Sequence, residues 1–439
     1  MTHCLPTRET FSPILGMDSA GLRSRGKSRP SIEEPTTHDN NKFEDLRPPR
    51  YTIDLSLPPA KRYQHVAHDF LPLVRSLPML FDEVVKEAHL PPPLIKIIAR
   101  ACLRRVYSQE ETEELRGIHE VTGVKMYLLV AFNVLLDLFM GCTSGGVQVR
   151  DRTGKPRMLH FRTMDWGMDA LRKVIVLLEF IEKPGGPVIA QSITYVGYVG
   201  VLTGVRKDLS MSLNFRPCHD HSTRAANFQF YFNHLLVLLG VRPSISTILR
   251  QCLFPTTVSS KGLGFSGRDL SSIEGKLPGS PTTAAYLTFC DGQRTIIIEK
   301  DHKTGAVRSS TDFDLATNHD TSEEDRPQAQ RNGPTESAPL KISGMELIVG
   351  ESIERKDALV NIWKTATGCK RRGSKKSDAQ SKPVSPEDVI EWMGVYPITN
   401  EETHYATVMD PEAGEVVWAV RHLEPLNPEQ RTAKSVYTT

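Results

Sequence analysis

Cys142 opens the run Cys142-Thr143-Ser144, and twenty residues later comes Arg162-Thr163-Met164-Asp165-Trp166. A thiolate can split amide hydrolysis into two easier steps through a thioester, provided a base is at hand. A cysteine at the start of a chain brings its own base, because its free amine titrates near about 7.7–8.0 and its thiol near about 8.5. A carboxylate beside that amine would hold and orient it, and an arginine beside the sulfur would favour the thiolate. Asp165 and Arg162 fit these two roles. Alone the pattern is modest, since a buried cysteine is usually structural and an Arg-x-x-Asp pair is usually a surface ion pair.

Strands must bring these groups together. From Cys142 onward the alternation predicts strands over 142–149, 157–164 and 174–181, two more around the glycines of 192–202, and one over 209–215. The Pro156-containing turn favours a hairpin between the first two, which returns Arg162 and Asp165 toward the start of Cys142's strand. Ala285–Cys290 and Thr295–Glu299 flank Asp291-Gly292 as another hairpin, and His404–Met409 with Val416–Arg421 form a third. Upstream, Tyr51–Leu57 alternates as a strand, and the spacing over 61–140 is helical. Pro91-Pro92-Pro93 interrupts it, and further helices are predicted over 94–106 and over 110–138 with a start at Ser108. Helices also fit 228–239, 244–253 and 352–363. Residues 1–48 read as a disordered tail, and 321–339 and 367–386 as flexible insertions. There is no internal repeat.

Composition narrows the class. Hydrophobic residues make up 39% and charged residues 24%, a globular balance, and a net charge of +2 argues against a nucleic-acid partner. The seven cysteines carry neither a C-x-x-C nor metal-ligand spacing, so neither a disulfide framework nor a metal is expected. The adjacent Cys218-His219-Asp220-His221 reads as a solvated loop rather than an ion site. The amino terminus lacks a basic start and apolar core, and no apolar run reaches the roughly 18 residues of a membrane span. The expected location is cytoplasmic or peripheral to membranes, with a lysosome-like compartment left open.

In order along the chain, these segments resemble the acid ceramidase and N-acylethanolamine acid amidase family, N-terminal nucleophile cysteine hydrolases related to choloylglycine hydrolases. The similarity runs from Tyr51-Thr52-Ile53-Asp54-Leu55-Ser56-Leu57 through Cys142-Thr143-Ser144 and Arg162-Thr163-Met164-Asp165-Trp166. It continues through Leu209-Ser210-Met211-Ser212-Leu213-Asn214-Phe215-Arg216 and Thr317-Asn318-His319-Asp320 to the closing hairpin. The resemblance implies an α+β fold, an αββα sandwich with a helical N-terminal subunit. It implies autocleavage between Gly141 and Cys142, giving a helical alpha-subunit region (49–141) and a catalytic beta-subunit (142–439) that stay associated. Cys142 would be nucleophile and, through its amine, base. Arg162 and Asp165 would tune and orient it, and Asn318 would donate to the oxyanion. Asn214, Phe215, Arg216 and Trp166 become substrate-binding candidates. Phe215 stands where the family commonly has glutamate, and Gly145-Gly146 where it has an apolar pair. Arg326 and Arg331 are both candidates for a second site arginine.

The implied substrate is a lipid amide, ceramide or N-acylethanolamine, with no cofactor and with peripheral membrane contact through the helices of 61–138. A non-catalytic lipid-binding protein and an acylase for a non-lipid amide are the alternatives.

Overall fold

The computed structural model describes residues 46–75, 78, 81, 92–135, 141–150, 153–220, 222–254, 269–324, 345–368 and 383–426. Arg326, Arg331, most of both expected insertions and nearly all of the expected tail lie outside these residues.

Thirteen strands form two sheets among the described residues. The larger has the order β1-β4-β5-β6-β7-β8-β9-β10 and the smaller β11-β2-β3-β12-β13. The first holds β1 (Arg50–Asp54), β4 (Ile175–Ile181), β5 (Val188–Tyr195), β6 (Thr203–Arg206), β7 (Leu209–Phe215), β8 (Ala285–Cys290), β9 (Thr295–Lys300) and β10 (Gly305–Ser310). The second holds β2 (Gly141–Arg150), β3 (Pro156–Asp165), β11 (Phe313–Ala316), β12 (Thr403–Asp410) and β13 (Glu415–Arg421). Apart from parallel β1–β4, neighbouring strands run antiparallel.

The sheets face each other, β2 and β3 lying over β7, β8 and β9. Gly146 marks the closeness of that approach. A Cβ there would come within 1.7 Å of Thr295 Oγ1 on the opposite sheet, so the side chain is excluded by the partner sheet. Gly145 is excluded likewise on the other face, where a Cβ would meet the Asp314 carbonyl oxygen at 2.4 Å.

Eleven α-helices and two short 3-10 helices (Asp169–Val174 and Thr321–Glu323) complete the described structure; the α-helices are α1 (Pro59–Arg62), α2 (Gln64–Asp69), α3 (Leu71–Val74), α4 (Pro92–Cys102), α5 (Gln109–Thr122), α6 (Met126–Leu135), α7 (Arg224–Leu238), α8 (Ile245–Leu253), α9 (Leu270–Lys276), α10 (Met345–Thr367) and α11 (Pro386–Met393). None is long and apolar enough to cross a membrane. α10 and α11 cover the outer face of the small sheet, burying Leu359, Val389, Trp392 and Met393 against Val147, Val149, Leu159 and Phe161. α1, α2, α5 and α8 cover the large sheet, with Val66, Ile118, Leu249 and Leu253 in the main core. The layers run helix, sheet, sheet, helix, which is the expected αββα sandwich.

The helix expected over 110–138 is broken. α5 starts at the Ser108 cap as predicted, but Gly123 ends it with a left-handed φ of 74°, and the chain restarts as α6. The expected second strand near 202 begins at Thr203, after a turn at Tyr195–Tyr198. β10 and β11 were not predicted at all.

A buried charge cluster ties the helices upstream of Cys142 to the sandwich. Arg250 on α8 donates to both Glu114 carboxylate oxygens at 2.7 Å, and Arg62 on α1 donates to Glu114 at 3.1 Å. Thr247 on α8 donates to Glu111 at 2.8 Å.

Candidate active site

Cys142 is the second residue of β2, paired across from Met164, and Gly141 is paired with Asp165. The expected hairpin thus delivers both predicted partners to Cys142, but on opposite sides. Side chains alternate along a strand, so residues three apart point to opposite faces. Arg162 points between the sheets with Cys142 and Met164, and Asp165 points outward toward α10.

On the inner face, Arg162 Nη2 lies 3.3 Å from Cys142 Sγ, and its Nη1 donates to the Leu213 carbonyl at 2.6 Å. Asn214 Oδ1 accepts from Nη1 at 3.4 Å. Arg162 is fully buried, and no carboxylate pairs with it among the described residues. A buried cation without a counter-charge favours an anion in its shell. The sulfur is the group placed to become one. Burial pushes the Cys142 thiol above its ordinary range; Arg162 pulls it back, Asp165 opposes that pull and Arg355 reinforces it. His160, two residues from Arg162 on the same face, is no candidate base. Burial and Arg162 push it down to about 3, and its ring nitrogens bond Ser210 and Ser212 at 2.9 and 2.8 Å.

The nitrogen of Cys142 has its own partner. It donates to Asn318 Oδ1 at 2.7 Å. The unpredicted strand β11 explains how: it pairs with β2, Ala316 opposite Ser144, so the chain two residues on reaches the start of β2. Asn318 Oδ1 also accepts from Arg355 Nη2 at 3.0 Å, and its Nδ2 donates to the Phe215 carbonyl at 2.9 Å. Two donors on one atom and an acceptor on the other settle which way the amide points. Asn318 therefore holds the cysteine nitrogen through its oxygen, and one of the two Nδ2 protons, which were expected to serve an oxyanion, goes to the Phe215 carbonyl.

On the outer face, Asp165 Oδ1 accepts from Thr403 Oγ1 at 2.7 Å, while Oδ2 has no hydrogen bond and lies 3.7 Å from Arg355 Nε. Burial pushes the Asp165 carboxyl up to about 6, against the opposing pull of Arg355 and the Thr403 hydroxyl. A Cβ built on Gly141 would sit 3.2 Å from Asp165 Cβ, so the carboxylate stands beside the Gly141–Cys142 junction.

Arg355 is the site residue that sequence reasoning missed. It is 2% exposed and links Asn318 to Asp165 from helix α10. The candidates for a second arginine were sought just downstream of Asn318, and both lie outside the described residues. The findable signal was the spacing of Ser352 and Arg355, which places them on one face of a helix.

The remaining candidates divide. Asn214 braces Arg162 and donates to the Ala316 carbonyl at 3.0 Å. Phe215 contributes its backbone. Arg216 is occupied, donating to both oxygens of Asp320 at 2.7 Å, and Tyr286 and Cys218 also donate to Asp320. Trp166 packs in the core beside Tyr195 and His404. Among the described residues no cluster of His, Cys, Asp and Glu could hold a metal ion.

Comparison with known proteins adds to this geometry. The solved N-acylethanolamine-hydrolyzing acid amidase ortholog of Caenorhabditis elegans aligns over 62% of this chain and 93% of its own, with a TM-score of 0.40 and 17% identity. A family model for the beta subunit of N-acylethanolamine-hydrolyzing acid amidase matches residues 47–104, upstream of Cys142. Mouse acid ceramidase is 31% identical over 185 residues, 38% of this chain and 45% of that protein. The Caenorhabditis elegans N-acylethanolamine-hydrolyzing acid amidase is 30% identical over 185 residues, 39% and 49% of the two chains. The chain thus spans about half the length of the curated relatives it matches. Over that stretch it is similar to the acid ceramidases and the N-acylethanolamine-hydrolyzing acid amidases.

Proposed function

We propose that this chain is an amidohydrolase that cleaves itself before Cys142 and then hydrolyses the amide bond of a lipid amide to a free fatty acid and an amine. The observation that carries this reading is the double grip on Cys142: an arginine at its sulfur and a carboxamide oxygen at its nitrogen. In maturation, Sγ attacks the Gly141 carbonyl carbon, and the peptide C–N bond breaks as the nitrogen takes up a proton. Water then hydrolyses the thioester. The freed amine stays on Asn318 Oδ1, placed to take the thiol proton. In turnover the thiolate attacks the substrate carbonyl, the protonated amine gives its proton to the leaving nitrogen, and water releases the acid.

Several features support a lipid amide. The relatives' names are those of a ceramidase and of an amidase of N-acylethanolamines. Ile97 on α4 and Phe228 on α7 are 64% and 67% exposed, and Phe232 and Leu235 lie exposed near Phe228, an apolar surface suited to a membrane. Only α4 lies within the 61–138 helices expected to make that contact. The void between α1, α2, α5 and the large sheet, lined by Tyr63, Val66, Ile118 and Tyr198, measures only about 10 Å³ in the uncut chain. A lipid-sized ligand needs at least about 300 Å³, so an acyl chain bound there requires these helices to move. The buried Arg250–Glu114 pair joins the two proposed fragments, which supports their continued association after cleavage.

A panel of N-acylethanolamines, ceramides and short acylated amino acids, hydrolysed by wild type and by Cys142→Ala, tests the reading. Activity on long-chain amides that vanishes with Cys142→Ala supports it. Equal activity of the two proteins on every amide rejects it.

A further inference from the structure

Ser352, His319 and Glu324 stand in a row beside the site. Ser352 Oγ lies 2.8 Å from His319 Nδ1, and His319 Nε2 lies 3.6 Å from Glu324 Oε1. A serine, a histidine and a carboxylate are the parts of a hydrolytic triad. The geometry excludes that use. Ser352 is completely buried, and its oxygen accepts the Asn318 backbone N–H at 2.5 Å. A hydroxyl oxygen committed to an amide and sealed from solvent cannot reach a substrate.

The same bond gives the row another use. The carboxylate of Glu324 can only accept, so it favours the His319 ring proton on Nε2, which leaves Nδ1 as an acceptor for the Ser352 hydroxyl proton while Ser352 Oγ accepts from Asn318. Thr317 Oγ1 lies 3.1 Å from the same Nδ1. Lys356 Nζ holds Glu324 at 2.6 Å. Ser352, Arg355 and Lys356 share one face of α10, at the i, i+3 and i+4 positions. Helix α10 therefore grips Asn318 twice, at its backbone nitrogen through Ser352 and at its side-chain oxygen through Arg355.

We propose that Ser352 and His319 are positioning residues: they fix the backbone of Asn318 so that its carboxamide holds the nitrogen of Cys142, the base of the proposed reaction. The proposal rests on the hydrolase reading and adds to it how the base is held. Asn318 lies two residues beyond the last residue of β11 and needs such an anchor. Displacing a reacting group by about 1 Å can cost about 100-fold in rate.

The test uses the full-length chain with substitutions Ser352→Ala, Ser352→Thr, His319→Ala and His319→Asn, and with wild type and Cys142→Ala as references. Thermal midpoint, kcat and KM on a long-chain N-acylethanolamine are measured for each. Ser352→Ala and His319→Ala are expected to lower kcat by about 10- to 100-fold with KM and thermal midpoint nearly unchanged. Ser352→Thr keeps the hydroxyl and His319→Asn keeps an acceptor near Nδ1, so both should recover most of the loss. Wild-type kcat in Ser352→Ala overturns the proposal. So does a loss that follows the thermal midpoint and is not rescued by Ser352→Thr, because that is a packing role. If wild type is no more active than Cys142→Ala, the hydrolase reading itself fails and the proposal falls with it.

Discussion

The two faces of strand β3 do different jobs on the same cysteine. On the inner face a fully buried arginine meets the sulfur. On the outer face a carboxyl that titrates near about 6 stands beside the Gly141–Cys142 junction, and Arg355 connects it to the asparagine that holds the nitrogen. The strand's two-residue alternation separates them. The sulfur thus meets its cation on a dry inner face, and the nitrogen's asparagine is linked on the outer face to a carboxyl that responds to pH.

The inner face can be broken most severely. Arg162→Met keeps the volume and removes the only cation in contact with the sulfur among the described residues. Activity is expected to fall by about 100- to 1,000-fold, the usual cost of losing a preorganised charged partner. Alkylation of Cys142 by iodoacetamide, followed against pH, should shift to higher pH in this variant. An unshifted alkylation profile would show that Arg162 does not govern the thiol.

The outer face should give a smaller and pH-dependent effect. Asp165 has its proton favoured by folding, because burial raises its titration from an ordinary value of 3.8 to about 6. Its contribution to stability is complete below 3.8 and is lost as pH rises through about 6. The linkage amounts to roughly 3 kcal/mol. Asp165→Asn should therefore lessen the loss of thermal midpoint expected of wild type between pH 4 and 7, the remainder coming from Glu111, which burial raises to about 7, and should slow self-cleavage by about 10-fold. An identical pH dependence in the two proteins would remove Asp165 from this role.

The far end of the same hairpin supplies the smallest effect. Lys155 pairs with Glu412 at the surface, where both side chains are well exposed. Lys155→Ala should leave activity unchanged and alter stability by less than about 0.5 kcal/mol, measured by urea unfolding. A larger change would mean that this end of the sandwich communicates with the cysteine.

The inner face was legible in the sequence and much of the outer face was not. Cys142, Arg162 and Asp165 lie on adjacent strands of one hairpin, and short-range alternation with a proline turn suffices to bring them together. Asn318 reaches Cys142 through β11, a four-residue strand too short to show a periodic signal. Arg355 follows Asn318 by 37 residues and acts from a helix, so no local pattern joins them. The helix over 110–138 failed for a simpler reason. The apolar spacing continued across Gly123, but a glycine with positive φ was sufficient to end α5. The αββα layering was implied by the family resemblance; the periods themselves separated strands from helices without ordering them into layers.

The most direct test is denaturing electrophoresis with amino-terminal sequencing of purified wild-type protein beside Cys142→Ala. Two fragments in wild type, the second beginning at Cys142, and one intact chain in the variant are the expected result. A wild-type chain that hydrolyses amides while Gly141 remains bonded to Cys142 would contradict the account.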